Sequence, residues 1–275
     1  MNSLVSCAIS PWALLRSLSA NRTLLFSMAK REVMGRYKGS AMGLLWSFVN
    51  PVLMLAVYTF VFSVVFNARW SGGGGSKTEF ALVLFAGLLV FNFFSECINR
   101  APVLITSNVN YVKKVVFPLE ILPVVVMGSA AFHFLVSLMV WLLFYLVFFG
   151  VPPVTMLWLP LVVLPLIFLT IGLSWLLASL GTYLRDIGQI IGMVTMVLMF
   201  MSPIFYPVSA LPQEYRTLMQ LSPLTFVIEQ ARDVMIWAKP IDWRAWSGWM
   251  AVSLLTAWLG FAWFQKTRKG FADVL

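Results

Sequence analysis

The sequence predicts an all-α integral membrane protein with six membrane-spanning helices. Its 275 residues are 61% hydrophobic and only 11% charged, whereas a soluble domain is roughly 45–50% apolar and about 25% charged. The mean hydropathy is +0.90. Long uncharged runs recur along the chain, and the first, 41–66, exceeds the roughly 20 apolar residues that cross a hydrocarbon core. No region is long and polar enough to form a separate soluble domain.

The N-terminal segment, 1–42, is predicted to be cytoplasmic and to contain an amphipathic interface helix. Residues 1–10 lack the basic region and the small-residue cleavage site of a signal peptide. Over 11–38, apolar side chains fall near one helical face, and a basic helix with such a stripe tends to lie in the membrane interface. The alternative is a solvated helix that packs on its own protein. The basic residues of this segment are Arg16, Arg22, Lys30, Arg31, Arg36 and Lys38.

The first span is predicted over 43–66. The basic residues before it mark its cytoplasmic end. Its polar features, Asn50, Pro51, Tyr58 and Thr59, need partners that lipid cannot supply. We therefore expect them to face protein or to line a path.

The loop Asn67–Glu79 contains the stretch SGGGGSKT, which superficially resembles a phosphate-binding loop. That motif requires Gly-Lys-Ser/Thr after a strand. Here Ser76 precedes Lys77, and a membrane helix precedes the glycines. We interpret the stretch as a flexible linker.

Five further spans are predicted, over 80–98, 119–149, 155–182, 187–206 and 245–264. Between the second and the third, the segment 99–118 is too polar to span and too apolar for a free loop. This composition indicates a short helix or a re-entrant segment on the cytoplasmic side.

The segment 207–242, between the fifth and sixth spans, is interrupted by prolines. Ser222 followed by Pro223 predicts a helix N-cap and first helical residue. We expect two short periplasmic helices here that dip back towards the membrane, which is a re-entrant arrangement.

The distribution of positive charge predicts the topology. With both termini in the cytoplasm, 13 Lys and Arg residues lie inside and six lie outside. The positive-inside rule therefore favours six spans with N-in and C-in topology. The transmembrane domain would be 43–264, and 265–275 would form a cytoplasmic tail.

Several function classes have little support in the sequence. His133 is the single histidine, and Cys7 and Cys97 are far apart, so we expect no catalytic acid–histidine constellation, metal site or disulfide framework. The net charge of +9 is dispersed beside apolar runs, which favours lipid headgroups over nucleic acid as partners. An ion-driven carrier is disfavoured because Glu96 and Glu120 lie near span ends. No selectivity-filter sequence indicates a small-ion channel.

Aromatic side chains recur on one face of the first span. Tyr58, Phe62 and Phe66 are spaced by four residues, which places them on one side of a helix. They are interpreted either as bulk for lipid and helix packing or as a surface on which sugar rings stack. Composition does not choose between the two.

Five stretches together resemble the permease subunit of type-2 ABC exporters, most of all the branch that exports O-antigen polysaccharide. Capsule and teichoic-acid permeases are similar. The resemblance covers about 30–270, and its one noted departure is Ser222, where family members often have Asn. The stretches are RYKGSAMGLLWSFVNPVLMLAVYTFVF (36–62), NYVKKVVFPLEILP (110–123), YLRDIGQI (183–190), SPIFYPVSALPQEYR (202–216) and SPLTFVIEQARD (222–233).

The resemblance implies a homodimeric, multi-pass permease of the bacterial inner membrane. Each subunit would bind a separate ATP-binding cassette subunit, two copies in all, so ATP and Mg belong to the partner and this chain holds no cofactor. The cargo implied is a polysaccharide linked to undecaprenyl pyrophosphate. The chain itself would be a transport permease and not an enzyme.

The resemblance also implies roles for individual positions. In the coupling segment 99–118 and just after it, Lys113, Lys114 and Glu120 would contact the ATPase or transmit its movement. Arg185 and Asp186 match a second cytoplasmic turn, with a local ion pair as the alternative. Other expected roles are headgroup contact at Arg31, Arg36 and Lys38, channel lining at Tyr58, Phe62 and Phe66, and periplasmic gating at Glu229 and Arg232.

Three alternatives remain open from the sequence. The first is an ABC permease for capsule, teichoic acid, a drug or another lipid. The second is a membrane-embedded glycolipid enzyme, which would need clustered acids or a histidine at one membrane face. The third is a structural membrane scaffold, against which the polar and proline features inside the spans stand.

Overall fold

The structure is a computed structural model that describes residues 10–61, 77–113 and 117–275. Regular secondary structure within these ranges is helical, with short 3-10 turns and no strand. The all-α prediction is therefore confirmed for the described part of the chain. Phe62, Phe66 and Lys114 lie outside the described residues, as does most of the glycine-rich loop.

The N-terminal segment forms two helices, α1 (Pro11–Ala20) and α2 (Arg22–Tyr37), where the sequence predicted one. The break is at Asn21, whose backbone N–H and side-chain amide both donate to the carbonyl of Ser17. Asparagine competes with helix continuation through such local bonds. The apolar side of the pair packs on the protein, while Trp12, Leu15 and Phe26 remain exposed.

Five helical segments are long and apolar enough to cross a membrane: Gly43–Val61, Thr78–Arg100, Leu119–Phe149, Val154–Tyr183 and Trp243–Val274. They correspond to the first, second, third, fourth and sixth predicted spans. Their main helices are α3 (Trp46–Tyr58), α4 (Lys77–Arg100), α6 (Leu122–Phe149), α7 (Leu159–Tyr183) and α11 (Trp243–Thr267). The short helix α5 (Val109–Lys113) lies between α4 and α6.

The helix at the fifth predicted span, α8 (Ile187–Met201), is shorter than expected. It has 15 residues and ends five positions before the predicted boundary at 206. Ser202 precedes Pro203 and is extended, with ψ 150°, because the proline ring disfavours helical geometry in the preceding residue.

Two helices follow in the proline-rich segment: α9 (Gln213–Gln220) and α10 (Pro223–Met235). Helix α10 begins at Pro223 as predicted, although the Ser222 side chain makes no capping hydrogen bond within the described residues. One side of α10 is completely buried against α4 and α7, at Val227, Ile228 and Ala231. Helix α10 therefore belongs to the core.

Helix α4 forms the centre of the fold. Its residues from Phe80 to Phe91 are almost all buried, and it contacts α6, α7, α8 and α10. Helices α7 and α11 approach each other closely at Gly172 and Gly260, where an added Cβ would overlap the backbone of the opposite helix. Small residues at a helix crossing allow this approach in membranes.

A second cluster of buried residues lies at the end where α2, α7 and α11 meet the short helix α12 (Phe271–Val274). Its largest members are Trp175, Phe261, Phe264 and Phe271, all buried. Gly181 of α7 packs directly on the backbone of Pro102. The connection from α4 to α6 is thereby fixed to the end of α7.

Candidate functional site

A polar cleft of about 370 Å³ lies between α2, α3, α4 and α6. Polar side chains are rare in this chain and costly inside membrane-spanning segments, where they usually serve a function. Their concentration in one cleft therefore marks it as the candidate site. The polar residues that line it are Arg36, Tyr37, Ser47, Asn50, Asn92, Ser95, Glu96, His133 and Ser137.

Helix α3 contributes Ser47 and Asn50 beside an internal proline. Pro51 has no backbone N–H, so the carbonyl of Ser47 loses its usual helical partner. The Ser47 hydroxyl donates to the carbonyl of Leu44 at 2.7 Å. Asn50 and Pro51, which we expected to face protein or to line a path, both line the cleft.

Glu96 is the acidic centre of the cleft. Its Oε1 lies 2.8 Å from Nη2 of Arg36, and both carboxylate oxygens lie 3.1 Å from Nδ1 of His133. The Glu96 and His133 side chains are only 17% and 16% exposed, whereas Arg36 is 41% exposed. The carboxylate is thus shielded from solvent, paired with the charge of Arg36 on α2 and in hydrogen-bond contact with His133 on α6, as a buried charge requires.

His133 touches both sides of the cleft. Its Nδ1 is 3.1 Å from Nη1 of Arg36, and its Nε2 is 3.2 Å from the hydroxyl of Tyr37. The ring also meets Tyr37 edge-on, with centroids 6.1 Å apart. The single histidine, which the sequence placed in an apolar run, is therefore part of a polar cluster.

A second ion pair, between Glu32 and Arg100, joins the same two helices as the pair between Arg36 and Glu96. In one pair α2 supplies the base and α4 the acid, and in the other pair these roles are reversed. On each helix the acid and the base are four residues apart. Because residues at this spacing share a helical face, α2 is fixed to α4 along one full turn.

The three residues predicted to contact a headgroup have different surroundings. Arg36 lies in the cleft, whereas Lys38 is exposed just after α2. Arg31 donates to the hydroxyl of Tyr111 at 2.8 Å, and this hydrogen bond raises the pKa of Arg31 above its ordinary value. Arg31 thereby joins α2 to α5.

Glu120 connects four parts of the molecule at the end near α12. Its carboxylate accepts from the hydroxyl of Ser17 at 2.9 Å and from Nη1 of Arg268 at 3.0 Å. Its backbone carbonyl accepts from the indole of Trp175 at 3.0 Å. The carboxylate is nearly buried. Glu120, which lies just before α6, therefore connects α1, α7 and the end of α11 through these three hydrogen bonds.

The other predicted coupling residues lie at the surface. Lys113 is exposed at the end of α5. Arg185 and Asp186 are exposed in the turn between α7 and α8, and in the described structure they do not form an ion pair with each other. Tyr58, the described member of the aromatic face, packs partly buried against the main core.

Arg232, one of the two predicted gate residues, is buried in the middle of the fold. Its guanidinium donates to the carbonyls of Val83 at 2.9 Å, Ile204 at 2.8 Å and Pro203 at 2.5 Å. A Cβ at Gly87 would collide with this guanidinium, so the glycine makes room for it. Arg232 thus binds α10 to α4 and to the chain that leaves α8.

Burial shifts the pKa of both predicted gate residues, Arg232 and Glu229. It lowers the pKa of Arg232, and the nearby carboxylates of Glu229 and Asp233 oppose that shift. It raises the pKa of Glu229, which the positive charge of Arg232 partly offsets. The two side chains therefore stabilise each other's charged forms.

The match to a known protein family covers most of these elements. Residues 23–236 match the model of the ABC-2 type transporter family. The chain belongs to this family. The match begins in α2 and ends just after α10, so it includes the whole polar cleft. As an ABC-2 protein with several long apolar helices, it is a multi-pass protein of the bacterial inner membrane.

Named relatives extend the comparison over nearly the full length. The O-antigen export system permease protein RfbA of Myxococcus xanthus is 29% identical over 94% of this chain and 98% of its own. The RfbA protein of Klebsiella pneumoniae is 24% identical over 92% and 95% of the two chains. The polysialic acid transport protein KpsM of Escherichia coli is 23% identical over 87% and 91%. The relatives are transport proteins, which fits a membrane subunit without an enzymatic site.

Sequence reasoning missed most of the cleft cluster. It identified Glu96 only as an acid near the end of a span and assigned it no partner, although Glu96 lines the cleft. The sequence does contain one indication of the ion pairs between α2 and α4: an acid is followed four residues later by an arginine both at Glu32–Arg36 and at Glu96–Arg100. Nothing in the sequence alone brings His133 to these residues.

Proposed function

We propose that this chain is the membrane subunit of an ATP-driven exporter that moves O-antigen-type polysaccharide, linked to undecaprenyl pyrophosphate, from cytoplasm to periplasm. The observation that carries the proposal is its 29% identity to a named O-antigen export permease over 94% of the chain. The match covers nearly all of both sequences.

The proposed topology has six spans with both termini in the cytoplasm, and α8 is the fifth span. The excess of positive charge on the cytoplasmic side supports it. At the opposite end, Trp158, Trp243 and Trp246 form an edge-to-face cluster, as expected of an aromatic belt at a membrane interface. Helices α9 and α10 would then be re-entrant periplasmic helices.

We propose that the permease is a homodimer whose channel lies between the first and fifth spans of two protomers. Helix α8 exposes large apolar side chains along much of its length, including Met193, Met196 and Phe200. Helix α3 does the same at Leu53 and Val57. These faces suit contact with a second copy, and Tyr58, Phe62 and Phe66 would offer sugar rings a stacking surface along the path.

ATP hydrolysis is assigned to two copies of a separate cassette subunit, which would hold ATP and Mg. Lys113, Lys114, Arg185 and Asp186 would contact it at the cytoplasmic face. Glu120 would transmit the movement, because its carboxylate joins α1 to the C-terminal end of α11. Movement of this cluster would shift α1 and α2 relative to the spans.

A lipid-linked substrate would meet the permease at the N-terminal helices. Exposed Trp12, Leu15 and Phe26 give α1 and α2 an apolar outer side for the membrane interface. Arg31, Arg36 and Lys38 would guide the negatively charged headgroup. ATP binding would then close the cassette subunits and separate the spans, and Glu229 and Arg232 would act at the periplasmic end.

A second candidate cargo is capsule polysaccharide. The relative named polysialic acid transport protein covers 87% of this chain at 23% identity. Capsule polysaccharide is the second choice because the identity to this relative is lower than the identity to the O-antigen export permease. Both cargoes would require the same membrane architecture.

The test is a deletion of the gene in its native strain. Loss of the permease should abolish one surface polysaccharide and accumulate its lipid-linked precursor inside the cell, and a plasmid copy should restore export. Chemical analysis of the precursor identifies the cargo. Normal surface polysaccharide in the deletion strain, with no accumulated precursor, would contradict the proposed function.

A further inference from the structure

We propose that the polar cleft is a phosphate-binding site in which the carboxylate of Glu96 competes with the phosphate for Arg36. The ligand class is a phosphate or diphosphate group, and its assignment to a lipid-linked substrate rests on the proposed function. The site is formed by Arg36, His133, Asn50 and Asn92, with Glu96 as the internal competitor.

Arg36 supplies the main positive charge. Guanidinium carries five N–H donors in a planar fork that matches phosphate oxygens. The described contacts use its Nη2 on Glu96 and its Nη1 on His133. The side chain is 41% exposed and lines the cleft, so donors remain for a ligand that enters.

The position of His133 shows that the ligand-free cluster does not satisfy all its groups at once. Its Nδ1 lies 3.1 Å from Nη1 of Arg36 and 3.1 Å from both oxygens of Glu96. Arginine only donates and a carboxylate only accepts. If Nδ1 carries a proton, that proton faces the N–H donor of Arg36, which cannot accept it. If Nδ1 carries a lone pair, that lone pair faces the carboxylate of Glu96, which cannot donate to it.

A phosphate in the cleft would remove this conflict. It would accept from Arg36 and draw the guanidinium away from Nδ1. His133 could then donate from Nδ1 to Glu96 and keep its Nε2 contact with Tyr37. Arg100 pairs with Glu32 and lies 3.9 Å from Oε1 of Glu96, so it stays beside the Glu96 carboxylate when Arg36 turns to the phosphate.

Neutral donors complete the site. Asn50 of α3 and Asn92 of α4 line the cleft with exposed amide groups. Within the described part of the chain neither amide side chain has a hydrogen-bond partner. An amide N–H can donate to a phosphate oxygen or to a sugar hydroxyl next to it, which suits a phosphate attached to a sugar.

The test is direct binding to the full-length permease, purified with its cassette subunit in detergent. Two probes are compared: radiolabelled undecaprenyl pyrophosphate and inorganic pyrophosphate. Arg36→Ala should weaken binding of the lipid probe by about tenfold or more, since its charge-assisted bonds are lost. His133→Ala should weaken binding by a smaller factor, because it removes the group that holds Glu96 away from Arg36 in the bound state. Competition by inorganic pyrophosphate indicates that the phosphates alone are recognised, whereas absence of competition indicates that the lipid is also required.

Glu96→Gln should bind the lipid probe more tightly than the natural protein, because it removes the internal competitor while keeping the side-chain shape. A misfolded variant would not gain affinity. Arg22→Ala is the matched control: Arg22 is an exposed basic residue on the same helix, and among the described residues it has no hydrogen bond or ion pair. Its binding should be unchanged.

The proposal is overturned if Arg36→Ala and His133→Ala bind both probes like the natural protein, or if Glu96→Gln weakens binding as strongly as Arg36→Ala. Export assays in cells separate this outcome from failure of the proposed function. Normal binding with normal export in the variants rejects the site alone. A permease that binds phosphate but never supports polysaccharide export rejects the proposed function alone.

Discussion

Arg36 and Glu96 form an ion pair, with Nη2 and Oε1 2.8 Å apart, that joins the N-terminal interface helix to the central span. The same helices form the reverse pair between Glu32 and Arg100. Movement of α2 therefore cannot occur without breaking or shifting charges that contact α4. These two ion pairs therefore link any movement of α2 to α4.

Exchange of charge across the outer pair tests this connection. Glu32→Arg and Arg100→Glu should each lower the melting temperature of the purified permease by about 2–4 °C, since each places like charges together. The double variant should recover part of that loss, because it restores the attraction between the helices but leaves like charges four residues apart on each helix. Recovery is measured by thermal unfolding in detergent, with Arg22→Glu as a control for charge reversal on α2. A double variant less stable than either single variant would contradict the pairing.

Arg232 is expected to be essential for the fold of the α8–α10 region. Arg232→Met leaves the carbonyls of Val83, Pro203 and Ile204 without their donor, and each buried unpaired group costs about 1–3 kcal/mol. We expect strongly reduced yield of folded protein, measured by size-exclusion chromatography.

The control for Arg232 is Arg244→Met. Arg244 is exposed at the start of α11, and only its backbone takes part in the described hydrogen bonds. It should leave the yield unchanged. Equal yields of the two variants would show that the carbonyl contacts of Arg232 are dispensable.

Glu120 is expected to couple the cassette subunit to the membrane helices. Glu120→Gln keeps its size but weakens the contacts with Arg268 and Ser17. Stimulation of ATP hydrolysis by lipid-linked glycan should fall several-fold while the complex still assembles. Lys269→Met, an exposed neighbour of Arg268, is the control. Full stimulation in Glu120→Gln would remove this residue from the coupling path.

The proposed dimer face on α8 is testable by cysteine cross-linking. Single cysteines at Met193, Met196, Val197 and Phe200 sample its exposed apolar side. At least one should form a disulfide-linked dimer under oxidation, because residues near a two-fold axis approach within about 7 Å. Leu146→Cys, exposed on α6, should remain monomeric. A complete lack of cross-links along α8 would contradict this dimer.

Much of the fold is predictable because membrane spans depend on composition and length. Five predicted spans coincide with long apolar helices. The start of α10 at Pro223 also follows from local sequence rules. The early end of α8 and the break at Asn21 each depend on a single residue, which weakens a helix without always ending it. The predicted ends of these two helices were therefore less accurate.

The candidate site was only partly predictable. Arg36 was identified from its basic character beside a span. Its partners, Glu96 and His133, come from two other helices 60 or more positions along the chain, and their approach depends on helix packing that periodicity does not reveal. The burial of Arg232 was equally hidden, because its carbonyl partners carry no sequence signature.

The most direct test of the central claim is transport in proteoliposomes that contain this chain and its cassette subunit. The account predicts ATP-dependent movement of lipid-linked O-antigen polysaccharide across the bilayer, with no movement when either subunit is omitted. ATP hydrolysis without any glycan movement, or turnover of the glycolipid by this chain alone, would contradict the assignment as an exporter subunit.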